Sequence, residues 1–320
     1  MKLIEKSRIF ANLYRYMGWA SKVTYDLFWW IRMEKILSNR SGIYYVCNHH
    51  LGDTFIFCSY LSKLNRITGK NHGVIVPEFY DSIPKMFGLN YVLTESMPKN
   101  RGFNDIFYFL AKALRMNTLP SVCAYIDAIK LGGKNKVDLY TGPTVFLGLM
   151  PKELPDKPIY FSIGAKEEVN KIIKSAHFTG DKGVIIAPYA KTLNELPNDF
   201  WMLLSNRLKE QGYTIFTNVS KKEKELPGTI PVSLSPDEMI ILAKEIGWVI
   251  SIRSGLCDLL LPAGISLTVI YSEDFLKSAK YDIYINADVQ KMFPSVVDQI
   301  VLENHNEIDF LSAVEKISNS

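Results

Sequence analysis

The residues best suited to chemistry in this chain stand in one turn, Arg253-Ser254-Gly255-Leu256, with Asp258 just beyond it. The surrounding sequence, WVISIRSGLCDLLLPAGISLTVIY, reads as a buried strand over 248–252, this polar break, a short helix stopped at Pro262 and Gly264, and a second buried strand over 266–271. A strand–turn–helix–strand unit of that length makes a parallel pair, with its turn at the carboxyl end of the first strand, where open α/β sheets bind ligands. The turn offers a guanidinium, a hydroxyl and a glycine that leaves backbone N–H groups uncovered, at a helix start whose partial positive charge suits a phosphate. That combination holds an anion. Asp258, one turn into the helix, has three readings: it orders Arg253, it contacts a ligand, or it is a surface carboxylate favoured by the helix dipole.

The elements that must position this turn alternate along the whole chain. In the first half, strands are expected over 43–48, 73–77, 91–93 and 121–126, with helices over 54–64, 81–87 and 102–115. Thr54 or Asp53 caps the first of these helices. Prolines 151, 155 and 158 mark a crossover. In the second half, strands are expected over 183–187, 213–218, 248–252 and 266–271, and helices over 200–211, 236–246 and 307–317. Ser235-Pro236-Asp237-Glu238 is a strong helix start. The fold class is therefore α/β: two facing Rossmann-like, doubly wound domains, residues 1–176 and 177–320, with a cleft between the carboxyl edges of their sheets. The loops that reach such a cleft are 49–53, 188–195, 220–225 and 253–258. Phe200, Trp201 and Trp248 are read as core.

Composition narrows the class. The chain has 320 residues, 48% hydrophobic and 22% charged, enough for a sizeable core in two domains. A net charge of +4 is too mild to point to nucleic acid. Four scattered cysteines without CxxC or metal-like spacing read as buried free thiols of a reducing compartment. No signal-like stretch and no run of about 18 uncharged apolar residues is found, so a cytoplasmic location is expected. Residues 1–40 carry eight basic side chains against three acidic ones, interleaved with Phe10, Tyr14, Tyr16, Trp19, Tyr25, Phe28, Trp29 and Trp30. This composition fits peripheral contact with the anionic inner face of the cell membrane. It fits equally a pair of helices packing their aromatics on the domain.

Three stretches together resemble the GT-B glycosyltransferases, most closely the bacterial heptosyltransferase group of glycosyltransferase family 9. They are Gly52-Asp53-Thr54-Phe55-Ile56 opening the first helix, IIAPYAKTLNELPNDFWMLLSNRLKEQGYTIFTNV opening the second domain, and SGLCDLLLPAGIS late in the chain. The chain departs from that group at one turn: Arg253-Ser254-Gly255-Leu256 stands where an Asp-Ser-Gly-Pro turn and a His are common. The resemblance implies transfer of a sugar from a nucleotide-sugar donor to a cell-surface glycan precursor such as lipopolysaccharide or capsule. It implies no cofactor and no metal, and inversion with Asp53 as the base that takes the acceptor proton. The other reading of Asp53 is a helix N-cap.

In the same reading His49 or His50 is a base or phosphate donor, but adjacent residues of an extended segment point opposite ways, so at most one faces the cleft. Either is also readable as structural. A departing nucleoside diphosphate needs fixed cations and backbone donors. Arg253, Ser254, Gly255 and Leu256 supply them, with Lys191, Thr192 and Asp258 in reach and Glu223 placed for ribose hydroxyls. A salt bridge at a strand end is the other account of Arg253, and solvated loop charge that of Lys191 and Glu223. Lys134 and Arg101 suit a phosphorylated or lipid-linked acceptor. Two alternatives stand beside this reading: a polysaccharide pyruvyl-type transferase, and a non-catalytic nucleotide-sugar or glycan binding protein.

Overall fold

The computed structural model describes residues 2–98, 111–121, 141–150, 153–180, 182–190, 196–220, 222–272, 297–302 and 307–319, with side chains from residue 20 onward except that of Thr141. The chain forms two compact units. One is Met1–Asn48, Asn65–Asp81 and Leu89–Ser121; the other is His49–Leu64, Ser82–Gly88 and Val122–Ser320.

The first unit is built on a parallel sheet of β1 (Tyr44–Val46), β2 (Gly73–Pro77), β3 (Asn90–Thr94) and β4 (Thr118–Pro120), in the order β3-β2-β1-β4. Every residue of β1, β2 and β4 is buried, which accounts for their unbroken apolar character. Of the strand expected over 121–126, residues 122–126 lie outside the described residues; β4 is the outer strand of this sheet among the described residues, where the missing N–H of Pro120 is tolerated. The start of β4 is held by Glu34: its carboxylate accepts the N–H groups of Asn117 at 3.1 Å and Thr118 at 2.6 Å, and the Thr118 hydroxyl as well.

Glu34 belongs to α1 (Lys2–Leu37), a single 36-residue helix where a helical pair was one expectation. Trp29, Trp30, Met33 and Leu37 recur at helical spacing and are buried, and the Trp29 indole donates to the Ser96 carbonyl at 2.7 Å. The aromatic packing expected for this segment is thus present at Trp29 and Trp30.

His72, just before β2, is the buried histidine of this unit. Its backbone is clamped by both ends of the Asn65 amide, and its Nδ1 accepts the Ile43 N–H at 3.0 Å. Burial, reinforced by the charge of Lys70, lowers its pKa from the ordinary value. Because the folded state prefers the neutral ring, the stability it contributes is complete above the unfolded value near about 6.5 and is lost as pH falls through the lowered one. Thermal unfolding followed from about pH 8 to about pH 5 will show an acid-side drop in Tm that the His72→Gln variant reduces. An equal drop in that variant would refute the assignment.

The second unit holds a six-stranded parallel sheet of β5 (Gly183–Ala187), β6 (Thr214–Asn218), β7 (Ile230–Val232), β8 (Trp248–Ile252), β9 (Ser266–Ser272) and β10 (Val297–Leu302), ordered β10-β9-β8-β5-β6-β7. Counted from β5 this is the doubly wound order 3-2-1-4-5-6. Its helices are α2 (Leu51–Thr68), α3 (Ser82–Met86), α4 (Thr141–Phe146), α5 (Ile163–Ser175), α6 (Asn198–Glu210), α7 (Pro236–Ile246), α8 (Gly255–Leu260) and α9 (Glu307–Ser318).

Alternate strand residues serve the two faces of this sheet. Val184, Ile186, Ile250 and Ile270 join Phe200, Trp201 and Phe310 of α6 and α9 in one core. Ile185, Val249 and Val269 are buried on the other face, and α7 packs against β5 and β8. Phe200 and Trp201 are thus core, as expected, and Trp248 packs partly buried against the same cluster. The capping box at Ser235 is complete: its N–H donates to the Glu238 carboxylate at 2.7 Å. Cys47, Cys58 and Cys257 are buried free thiols. No helix among the described residues is long and apolar enough to cross a membrane.

Candidate functional site

Two of the four loops singled out by the sequence, 49–53 and 253–258, follow strands at a reversal of strand order. In the first sheet β1 lies between β2 and β4 and runs on toward α2; in the second, β8 lies beside β5 and runs into α8. These are the topological switch points where open α/β sheets bind ligands.

The β8–α8 turn is tightly organised. The Arg253 N–H donates to the Ile270 carbonyl at 2.8 Å, extending the pairing with β9 by one residue. Ser254 is the extended N-cap of α8: its Oγ accepts the Leu256 N–H at 3.3 Å, and its carbonyl accepts the Cys257 N–H at 3.0 Å. The Arg253 guanidinium turns back over the helix. Nη1 donates to Asp258 Oδ2 at 3.1 Å and to the Ser254 carbonyl at 2.5 Å, and Nη2 donates to Asp258 Oδ1 at 3.0 Å.

Both partners of this two-pronged ion pair are buried. Asp258 is therefore not a surface carboxylate; it orders Arg253, and Arg253 reaches the turn with its charge already matched. Beneath them Cys257 is fully buried, and burial pushes its thiol pKa up against the opposing pull of Arg253. It stays a protonated core group.

Helix α2 begins at Leu51 and carries Asp53 as the acidic residue of its first turn, partly exposed. The helix therefore starts before the expected residue 54, and neither Asp53 nor Thr54 is its cap; the Thr54 N–H already bonds the His50 carbonyl at 3.0 Å. The position of Gly52 explains the early start. A Cβ on Gly52 would lie 2.5 Å from Asp258 Oδ2 and 2.9 Å from the Gly255 Cα, and one on Gly255 would lie 2.7 Å from the Gly52 nitrogen. Within the second unit, the first turns of α2 and α8 thus meet through two glycines, backbone against backbone. Asp53 follows directly.

His49 is half-buried and its ring nitrogens are shielded from solvent, whereas His50 is exposed. Glu223 is partly exposed and folds onto its own turn after β6, accepting the Ser220 N–H at 2.7 Å. Lys191, Thr192, Lys134 and Arg101 lie outside the described residues. Among the described residues no group of three His, Cys, Asp or Glu side chains is placed to hold a metal ion.

The sequence pointed separately to Gly52-Asp53 and to Arg253–Asp258. The structure adds that the two belong together. The usable signal was the pair of glycines, each preceding an aspartate near the start of a helix.

No protein-family model matches the chain, and no curated protein matches it by sequence. Solved structures do match. The ADP-heptose lipopolysaccharide heptosyltransferase II of E. coli aligns with a TM-score of 0.58 at 12% identity, over 87% of this chain and 98% of that one. A glycosyltransferase family 9 protein from Veillonella parvula DSM 2008 aligns with a TM-score of 0.55 at 10% identity, over 87% and 90%. The chain has the fold of the GT-B glycosyltransferases. At identities of 10% and 12% the likeness is one of fold, so a GT-B function has to be argued from the site.

Proposed function

We propose that the chain is a metal-independent, inverting glycosyltransferase that moves a sugar from a nucleotide-sugar donor to a cell-surface glycan precursor, with Asp53 as base. One observation carries the reading on this fold: the carboxylate of Asp53 stands on the first turn of a helix pressed by paired glycines against the turn at the carboxyl end of β8. Sugar transfer to a hydroxyl needs a carboxylate to take the acceptor proton as the bond forms. It also needs fixed positive charge where the nucleoside diphosphate departs. The positive end of the α8 dipole supplies part of that field.

In this scheme residues 177–320 serve the donor and residues 1–176 the acceptor. Ser254, Gly255 and Leu256 face the diphosphate, with Lys191 and Thr192 beside them. Arg253 and Asp258 act as a pair that sets the turn, and Glu223 meets the ribose. His49 and His50 stand next to the base. Lys134 and Arg101 meet a phosphorylated or lipid-linked acceptor, and the basic residues of 1–40 bring the protein to the anionic face of the membrane.

Calorimetric titration with UDP, GDP, CDP and ADP is expected to give saturable binding of one of them in the presence of EDTA. Binding of phosphoenolpyruvate and of no nucleotide would overturn the proposal in favour of pyruvyl transfer. The E. coli structure is that of an ADP-heptose enzyme, which makes ADP the first ligand to try.

A further inference from the structure

Over residues 20–37, where its side chains are described, helix α1 carries apolar side chains on two opposite faces, and one of the two is exposed. The covered face is Trp29, Trp30, Met33 and Leu37. On the far side Leu27, Phe28 and Ile31 are 42%, 67% and 55% exposed, at spacings that place them side by side along the helix. Large apolar side chains grouped on an exposed helix face mark a surface that calls for a partner.

The charges beside that stripe say which. Asp26 is 0% exposed, and Glu34 is turned inward onto Asn117 and Thr118. The acidic residues of this half of the helix are thereby withdrawn from its outer surface, while Lys22, Arg32, Lys35 and Arg40 are all exposed. The modest basic excess of the sequence becomes, on the folded surface over residues 20–40, exposed charge of one sign, and Arg32 and Lys35 stand beside the exposed apolar side chains. Residues 2–19 continue the same helix, and their sequence adds Lys2, Lys6, Arg8 and Arg15 against Glu5 alone. A protein partner that matched the apolar stripe would also need an acidic rim; an anionic lipid surface supplies apolar depth and negative charge together.

We propose that the outer face of α1 is a monotopic docking surface for an anionic lipid leaflet. Leu27, Phe28 and Ile31 enter the boundary between headgroups and acyl chains, and Arg32 and Lys35 meet lipid phosphates. The helix lies along the membrane plane, fixed to the sheet by Glu34 and by the buried tryptophans. This deepens the membrane contact proposed above by naming the face that makes it, and it is independent of the reaction.

The test is flotation of the full chain with vesicles of phosphatidylcholine alone or mixed with phosphatidylglycerol, alongside the nucleotide titration. The protein is expected to float with the mixed vesicles only, and less as salt rises. The pair Phe28→Glu and Ile31→Glu is expected to weaken vesicle binding by roughly tenfold or more, and the pair Arg32→Ala and Lys35→Ala by roughly tenfold. Both should keep the parent nucleotide affinity. All four side chains are exposed, and unchanged thermal unfolding will confirm folding of either pair. Equal binding to neutral vesicles, parent-like flotation of both variant pairs, or a dimer that the first pair dissociates while the parent ignores vesicles would each overturn the proposal. Loss of nucleotide binding in the parent would instead count against the glycosyltransferase reading alone.

Discussion

Asp53→Asn is expected to lower kcat for sugar transfer by about 10²–10⁴ while nucleoside diphosphate binding stays as tight or tightens. The substitution keeps the shape of the side chain and removes its charge and its capacity to take a proton. Asp53 is a first-turn residue of α2 and not the cap. Loss of the charge from the dipole end costs about 0.3–1 kcal/mol, which leaves Tm nearly unchanged. A carboxylate beside a departing diphosphate repels it, so removing the charge cannot weaken nucleotide affinity by electrostatics. The expected split, kcat lost with affinity retained, separates a base from a donor-binding residue. It is read by steady-state turnover with the donor found in the nucleotide screen and by calorimetry on the same variant. Retained turnover would remove the base assignment and leave Asp53 as a helix-dipole residue.

Much of the fold was legible because parallel strands buried on both faces announce themselves as short apolar runs between turns. Gly183–Ala187 and Trp248–Ile252 are found at the expected bounds. The elements missed have the opposite character. β10 pairs at the sheet edge with Asp298, Gln299 and Val301 only partly buried, so its sequence lacks an apolar run. Helix α5 buries only Ala165 and Val169, a stripe too narrow to stand out after a proline-rich crossover. Strand β7 is three residues long with a proline in its middle. At the site the residue types were legible, and the pairing of Asp258 with Arg253 was one of the readings left open. What decides it is the burial of both side chains, which a spacing of five does not show. The contact of Gly52 with Gly255 joins segments about 200 residues apart, a tertiary fact that local pattern cannot carry.

Asp258→Ala is expected to destabilise the protein by about 3–5 kcal/mol, because it leaves the Arg253 charge buried with its partner gone. Replacing both, as Arg253→Met with Asp258→Leu, removes the stranded charge and is expected to recover most of that loss. The reason is that a buried ion pair gives back little more than the desolvation it cost. The coupling, read by urea denaturation of Arg253→Met, Asp258→Leu and the double variant, is expected to be at least about 3 kcal/mol; additive losses would mean that the pair is not a unit. Activity separates a second role. Asp258 Oδ2 abuts Gly52, so this carboxylate sets how closely the turn carrying Asp53 approaches the turn of Ser254 and Gly255. A double variant that regains stability is still expected to lose kcat, because the Arg253 bonds that fix Asp258 and the Ser254 carbonyl are gone. Stability recovered without turnover would make the ion pair a positioning device for the two helix ends. Recovery of both would leave it a structural salt bridge.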